Sequence, residues 1–215
     1  MASATSFRQI LGVSPSTASP SDSTLIIIDA QNEYADGKLA VSDLKSTSAA
    51  IAGPSHAHPI DSKILTQALT DLLKTYRAVG TDNIIHVKHQ VPAGAPVFTP
   101  DTPLAEIMDV VAPKQGEKVI TKQHPGSFTG TDLEQYLEAI PGGKGKKVVL
   151  TGYMAHVCVS TTARQAAERG YDVILPKEAI GDRDIPGAKA QEVVDMSLKE
   201  LADIFGTVVS AKDIK

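Results

Sequence analysis

Three ionisable side chains each come shortly after an apolar run of the sequence that is typical of a buried strand. Asp29 follows the first run, Lys122 follows the third, and Cys158 stands eight residues after the fourth, at the start of a helical pattern. In open parallel sheets the carboxyl ends of the strands lie along one edge, and ligands bind beyond that edge. We therefore expect Asp29, Lys122 and Cys158 to meet in one crevice.

These three residue types suit nucleophilic hydrolysis. The reactive form of cysteine is the thiolate, and both a helix N-terminus and a nearby ammonium such as Lys122 stabilise that anion, so we expect the pKa of Cys158 to lie below about 8.5. A carboxylate such as Asp29 can take the thiol proton and return it to a leaving group. Backbone N–H groups of the turn 153–158 could bind the oxyanion of the intermediate.

Each residue taken alone also has a structural interpretation. Asp29 could cap the end of its strand, Lys122 could be a solvated surface charge, and Cys158 could be an inert core residue, since free cysteines are commonly buried. Because all three stand at strand ends that face one crevice, the catalytic interpretation is favoured over the separate structural ones.

The elements that must position these residues alternate between strand and helix. Apolar β-rich runs, six in all, occur at 24–28, 83–87, 118–120, 147–150, 172–175 and 207–209. Helical patterns occupy about 60–76, 131–139, 157–169 and 188–204, and Thr131 with Glu134 predicts a capping box. Repeated β-then-α units predict an α/β fold with a single doubly wound domain, a parallel sheet and helices on both faces. We assign residues 1–23 to an N-terminal extension and 24–215 to this domain.

Composition excludes several function classes. The net charge of −4 is spread along the chain, which argues against nucleic acid as a partner. The longest run of purely aliphatic residues, Leu25 to Ile28, is too short to span a membrane. The N-terminus lacks the pattern of a signal peptide, and a single cysteine suits a reducing compartment. The sequence thus predicts a cytoplasmic protein acting on a small molecule, with leaderless secretion left open.

Three segments resemble the isochorismatase-like cysteine hydrolases, a family that includes the nicotinamidases. They are DAQNEY with GKLAV (29–41), TKQHPGSFTGTDL (121–133) and LTGYMAHVCVSTTARQAAERGYDV (150–173). The resemblance extends over about 24–205. It implies a six-stranded sheet of order 3-2-1-4-5-6, a homo-oligomer, and no cofactor.

The resemblance also implies roles for individual residues. Asp29 matches the general base of the family, Lys122 its lysine, and Cys158 its nucleophile. A cis peptide bond is expected at Tyr153–Met154, with the Met154 and Cys158 amides as the oxyanion hole. The candidate substrate-pocket residues, from the resemblance and the sequence together, are Gln31, His89, Phe98, Tyr153 and His124. We assign His156 a structural hydrogen-bonding role and leave the charged segment 181–184 open between internal ion pairs and a subunit contact.

No metal site is expected. Nicotinamidases carry an Asp-x-His metal cluster after the second strand, and here the corresponding residues 87–90 read Val-Lys-His-Gln, without the aspartate. His56 and His58 form a His-x-His pair, which we interpret as part of a polar surface loop, since two histidines alone make an incomplete site.

The reaction predicted first is hydrolysis of a small amide or related C–N bond through a thioester on Cys158. The alternative is hydrolysis of isochorismate, a vinyl ether cleavage to a dihydroxybenzoate and pyruvate with Asp29 as the acid. That chemistry needs no thiol, and several such enzymes of the family lack the cysteine. A third possibility, from another class, is a non-catalytic binding or scaffold protein that keeps the fold.

Overall fold

The sheet of the protein has six strands, all parallel. A computed structural model of the chain describes residues 4–41 and 62–215. The strands are β1 (Thr24–Ile28), β2 (Ile84–His89), β3 (Lys118–Lys122), β4 (Lys147–Gly152), β5 (Asp172–Pro176) and β6 (Thr207–Val209). Their order is β3-β2-β1-β4-β5-β6, which confirms the predicted doubly wound topology. The predicted His56 and His58 pair lies outside the described residues.

Helices cover both faces of the sheet because the central strands are apolar on both faces. In β1 every residue is buried, and alternate side chains serve opposite sides. Ile26 and Ile28 pack in one core cluster, which includes residues of three helices, and Leu25 and Ile27 pack in the other with a fourth helix. The helices are α1 (Phe7–Ile10), α2 (Glu33–Asp36), α3 (Ser62–Arg77), α4 (Leu133–Ala139), α5 (Ser160–Glu168) and α6 (Ala190–Ile204). Helix α3 covers the second cluster, and α4, α5 and α6 cover the first.

The predicted capping box at the start of α4 is wrong. Asp132 is the N-cap residue, and the helix begins only at Leu133. The Thr131 hydroxyl donates to Ser127 O at 2.6 Å and accepts the Leu133 N–H at 3.3 Å. Thr131 therefore bonds both to the preceding turn and to the first residue of α4, but it does not form a capping box with Glu134.

The N-terminal extension lies along the edge and end of the sheet. The Phe7 N–H donates to Asp203 at the end of α6 (2.8 Å), Lys147 of β4 donates to Thr17 O (2.7 Å), and the Asn83 side chain donates to Pro20 O (2.7 Å). These contacts hold residues 7–20 against the domain. We keep the division into residues 1–23 and 24–215 as a proposal. In the described part of the chain no helix is long and apolar enough to cross a membrane.

A buried ionic network joins α3 to the sheet. Arg77 donates to both oxygens of Glu117 at 2.6 and 2.9 Å, and the His86 ring lies 2.8 Å from the same carboxylate. The side chains of His86 and Glu117 are almost fully buried. Burial alone would raise the pKa of Glu117, but hydrogen bonds from Arg77, the Lys114 N–H and His86 outweigh it and hold that pKa at about 2.

Candidate active site

Strand register brings the predicted catalytic residues to one edge of the sheet. Ile28 at the end of β1 is paired with Val87 on one side and with Gly152 on the other, and His89 of β2 is paired with Lys122 of β3. The Asp29 N–H continues this ladder by donating to Val87 O at 2.9 Å. The carboxyl ends of β1 to β4 therefore form a common crevice, as the sequence predicts.

Asp29, Lys122 and Cys158 are in contact there. Lys122 Nζ lies 2.8 Å from Asp29 Oδ2 and donates to Cys158 Sγ at 3.3 Å. Asp29 and Lys122 are at most 1% exposed and Cys158 is 6% exposed. Apart from the ion pair with Lys122, no N–H or O–H in the described part of the chain donates to the Asp29 carboxylate. That carboxylate is thus available to exchange a proton with the thiol or with a substrate.

The environment of Cys158 raises the pKa of its thiol, contrary to the expected lowering. Burial, together with the negative charge of Asp29, raises the pKa of Cys158 to about 12, and Lys122 offsets this only in part. Burial likewise raises the pKa of Asp29 above its ordinary value, against the opposing Lys122 ammonium. For both acids, the rise in pKa caused by burial is larger than the lowering expected from the helix terminus and the Lys122 ammonium.

The turn that carries Cys158 is shaped by Gly152 and by a π-helix. Gly152 has φ +103°, and a Cβ there would overlap Ile28 O, so only glycine fits. The Tyr153–Met154 peptide bond is cis. A π-helical turn, Ala155–Val159, then leads into α5. Within the described residues neither the Met154 N–H nor the Cys158 N–H donates to a backbone carbonyl outside that turn.

A group of aromatic side chains, here called the aromatic wall, adjoins Asp29, Lys122 and Cys158, which together form the candidate triad. Tyr34 stacks on Tyr153 with ring centroids 5.1 Å apart, and Phe98 meets Tyr34 and His89 edge to face at 5.3 Å each. His89, at one end of this wall, lies 3.2 Å from Lys122 between Nδ1 and Nζ. Burial, then the charges of Asp29 and Cys158, raise the pKa of Tyr34. Of the predicted pocket residues, His89, Phe98 and Tyr153 therefore belong to this wall.

Gln31 has its polar atoms occupied by the protein. Its amide nitrogen donates to His89 O at 3.0 Å and to Ala105 O at 2.7 Å, and its oxygen accepts the His89 N–H at 2.8 Å. These bonds fix the end of β2 to the loop around Ala105, which favours a structural role over the predicted contact with substrate. His124 is exposed.

His89 sits beside the ammonium of Lys122, at 3.2 Å between Nδ1 and Nζ. Burial, then Lys122 and His124, lower the pKa of His89 to about 4, so its ring is neutral near pH 7. No group of three or more metal-binding side chains occurs among the residues that the structure describes.

Sequence reasoning missed four residues that shape the site. Glu33 is buried and accepts N–H groups from Lys38 at 2.7 Å and Phe98 at 3.1 Å. Tyr34 lies in the aromatic wall. Asp182 binds the turn of Cys158, and Arg183 has a buried Nε with no partner in the described part of the chain. Glu33 and Tyr34 are within the DAQNEY segment, so the resemblance of that segment to the family could have indicated them. Nothing in the sequence places residues 182 and 183 beside residue 156.

Comparison with known proteins identifies the family. The model of the isochorismatase domain matches residues 23–213. A secreted isochorismatase effector of Verticillium dahliae is 54% identical over 209 residues, which are 97% of this chain and 98% of that protein. The chain belongs to the isochorismatase family of hydrolases.

Other members are similar at lower identity. A solved structure of an isochorismatase from Pseudomonas putida KT2440 superposes with a TM-score of 0.84 and 28% identity, covering 99% of this chain and 100% of that one. The N-carbamoylsarcosine amidase of an Arthrobacter species is 36% identical over 114 residues, 53% of this chain and 40% of the amidase. The proteins that this chain resembles thus include some named as isochorismatases and one named as an amidase.

Proposed function

We propose that the protein hydrolyses isochorismate to pyruvate and a dihydrodihydroxybenzoate, with Asp29 as the acid. The observation that carries this proposal is the likeness, 54% over nearly the full length of both chains, to a protein named as an isochorismatase. It favours this reaction over the amide hydrolysis that the sequence predicts first. The ring product is the dihydro compound and not the predicted dihydroxybenzoate, because hydrolysis does not oxidise the ring.

The site supports acid catalysis by Asp29. Because burial raises the pKa of Asp29, its carboxyl group can hold a proton closer to neutral pH than an exposed aspartate can. Asp29 would transfer that proton to the terminal methylene carbon of the vinyl ether, leaving an oxocarbenium ion. Water would add to the cationic carbon and give a proton back to Asp29. The resulting hemiketal would release pyruvate and the ring alcohol as its ether C–O bond breaks and its hydroxyl proton moves to the ring oxygen.

Two further side chains suit this substrate. Isochorismate carries two carboxylates, and the Arg183 guanidinium, whose Nε has no partner among the described residues, could pair with one of them. Its Nη1 donates to Asp184 O at 2.9 Å. Its charge also lowers the pKa of Tyr34, against the larger effect of burial. Lys122 would stabilise Asp29 as a carboxylate after the proton has left.

The experiment that tests the proposal follows pyruvate release from isochorismate by coupling it to lactate dehydrogenase and NADH. The purified protein should release one pyruvate for each isochorismate consumed, at a rate well above the uncatalysed reaction. Failure to accelerate pyruvate release would refute the proposal.

A second candidate function is the hydrolysis of a small amide that carries a carboxylate. The observation that favours it is the contact of Lys122 with both the Cys158 thiol and the Asp29 carboxylate, because vinyl ether cleavage does not need the thiol. Sγ would attack the carbonyl as Asp29 takes its proton, and the Met154 and Cys158 amides would bind the oxyanion. The proton would go to the departing amine, and water would then hydrolyse the thioester. Ammonia release from a panel of such amides, lost in Cys158→Ala, would establish this reaction.

Location and assembly remain predictions. The Verticillium relative is named as a secreted protein, so the predicted cytoplasmic location needs its own test, by fractionation of the producing cells. The predicted homo-oligomer is tested by light scattering of the purified protein.

A further inference from the structure

The loop that follows β5 is hydrogen-bonded to both ends of the turn that carries Cys158. The Gly181 N–H donates to Gly152 O at 3.0 Å, before the turn, and the Ala155 N–H donates to Gly181 O at 2.9 Å, after the cis peptide. The next residue of the turn, His156, donates its N–H to Asp182 Oδ2 at 3.0 Å. The segment between these hydrogen bonds contains Met154, whose backbone N–H would bind the oxyanion in the proposed hydrolysis of an amide substrate.

Asp182 bonds through its carboxylate to groups on both the loop after β5 and the turn that carries Cys158. Its side chain is buried, and its two oxygens serve three N–H groups. Oδ2 accepts from the His156 backbone and lies 2.6 Å from His156 Nδ1, while Oδ1 accepts the Arg183 N–H at 2.8 Å. Hydrogen bonds to a carboxylate are about twice as strong as neutral ones, which suits a group that must hold a turn in place.

We propose that Asp182 is a positioning residue of the active site, acting through the turn 153–158 and not by touching the reacting atoms. Its three bonds join the loop after β5 to the π-helix and so fix where Cys158 and the Met154 amide stand relative to Asp29 and Lys122. The inference rests on the proposed amide hydrolysis for its kinetic consequence, but the placement of the turn can be measured without a substrate.

The variant Asp182→Asn tests this. An amide presents one acceptor oxygen and one NH2, and the NH2 would face an N–H donor on one side or the other, so at least one bond is lost without a change in size. Asp184→Asn is the matched control, because it removes the same charge two residues away, where Asp184 is exposed and bound to Lys189 and the start of α6. His156→Ala is a second variant that keeps the charge of Asp182 and removes only the bond to the ring.

Two readouts separate positioning from other roles. The first is steady-state turnover of a small amide, the reaction in which the Cys158 thiol and the Met154 N–H would take part. For that reaction Asp182→Asn should lower kcat about 10–100-fold, as for a misplacement of about 1 Å, with KM changed less than about threefold, whereas turnover of isochorismate, which needs neither group, should fall less than about tenfold. The second is the rate at which iodoacetamide alkylates the buried Cys158, which should rise about tenfold as the turn opens locally. His156→Ala should fall between Asp182→Asn and the control in both readouts.

Three results would overturn the inference. The first is an unchanged alkylation rate in Asp182→Asn, and the second is a change in the KM of that variant without a change in kcat. The third is a His156→Ala variant that behaves as wild type while Asp182→Asn does not, which would mean that the loss of charge, and not the loss of hydrogen bonds, causes the effect of Asp182→Asn. If the wild-type protein turns over neither substrate, the proposed function fails. The alkylation rates then still decide whether Asp182 fixes the turn.

Discussion

Replacing Lys122 by methionine should destabilise the protein in a pH-dependent way. Asp29 and Lys122 are both almost fully buried and 2.8 Å apart, so the variant leaves a carboxylate without its counter-charge in the core. Removing one partner of a buried ion pair costs about 3–5 kcal/mol of unfolding free energy. We expect that cost at pH 8, measured by urea unfolding.

The pH dependence follows from the direction of the Asp29 pKa. Burial already raises it in the folded protein, and loss of the Lys122 ammonium, which lowers it, raises it further. A group with a raised folded pKa stabilises the fold below its unfolded pKa, about 3.9, and that stability is lost as the pH rises, by about 1.4 kcal/mol per unit up to the folded pKa. The cost of Lys122→Met should therefore be small near pH 4 to 5 and largest at pH 8.

Two controls make this result decisive. Adding Asp29→Asn to Lys122→Met should recover most of the stability at pH 8, because no buried charge is then left. Lys118→Met in the same strand breaks a partly exposed pair with Asp132 and should cost at most about 1 kcal/mol. A cost that is equal at all pH values, or that Asp29→Asn does not relieve, would refute the electrostatic reasoning.

Three other predictions concern the buried Glu117 network, the titration of His89 and the effect of removing metal ions. Glu117→Gln should cost about 3–5 kcal/mol at pH 7 by breaking the buried network with Arg77 and His86. Because the folded pKa of Glu117 is held at about 2, that difference should fade as the pH drops from about 4.5 towards 2, and a full difference at pH 2 in urea titrations would contradict it. The ring of His89 should titrate near pH 4 by NMR, and a midpoint near 6.5 would mean that it is not buried beside Lys122. Dialysis against EDTA should leave activity intact, whereas a loss reversed by added metal would reveal a missed site.

The sheet could be predicted from the sequence because its central strands are apolar on both faces. In the run Thr24 to Ile28 the last four residues are all aliphatic, which does not suit a half-exposed strand or an amphipathic helix, and the run forms β1 with those bounds. The positions of Asp29, Lys122 and Cys158 followed from the same pattern, since each adjoins such a strand. The first residue of α4 could not be predicted from the sequence, because the Thr131 hydroxyl can bond to the preceding turn as readily as to the helix.

The electrostatics of the site could not be predicted in this way. A sequence shows that an ammonium and a thiol share a crevice, but not how completely water is excluded, and that exclusion decides the direction of the Cys158 pKa. The contact of Asp182 with the turn of Cys158 was also out of reach, since it depends on the path of the loop after β5 and joins residues 26 positions apart.

In the proposed reaction Asp29 is the proton donor to isochorismate and the Cys158 thiol is not needed. Both roles are measured by pyruvate release from isochorismate by Asp29→Asn and Cys158→Ala, each compared with wild type at matched protein concentration and with unfolding curves to show that both variants fold. We expect a loss of about 10²–10⁴-fold in Asp29→Asn. We expect a loss of less than about tenfold in Cys158→Ala, a barrier change below about 1.4 kcal/mol. Full activity in Asp29→Asn, or a loss in Cys158→Ala as large as that in Asp29→Asn, would contradict these roles.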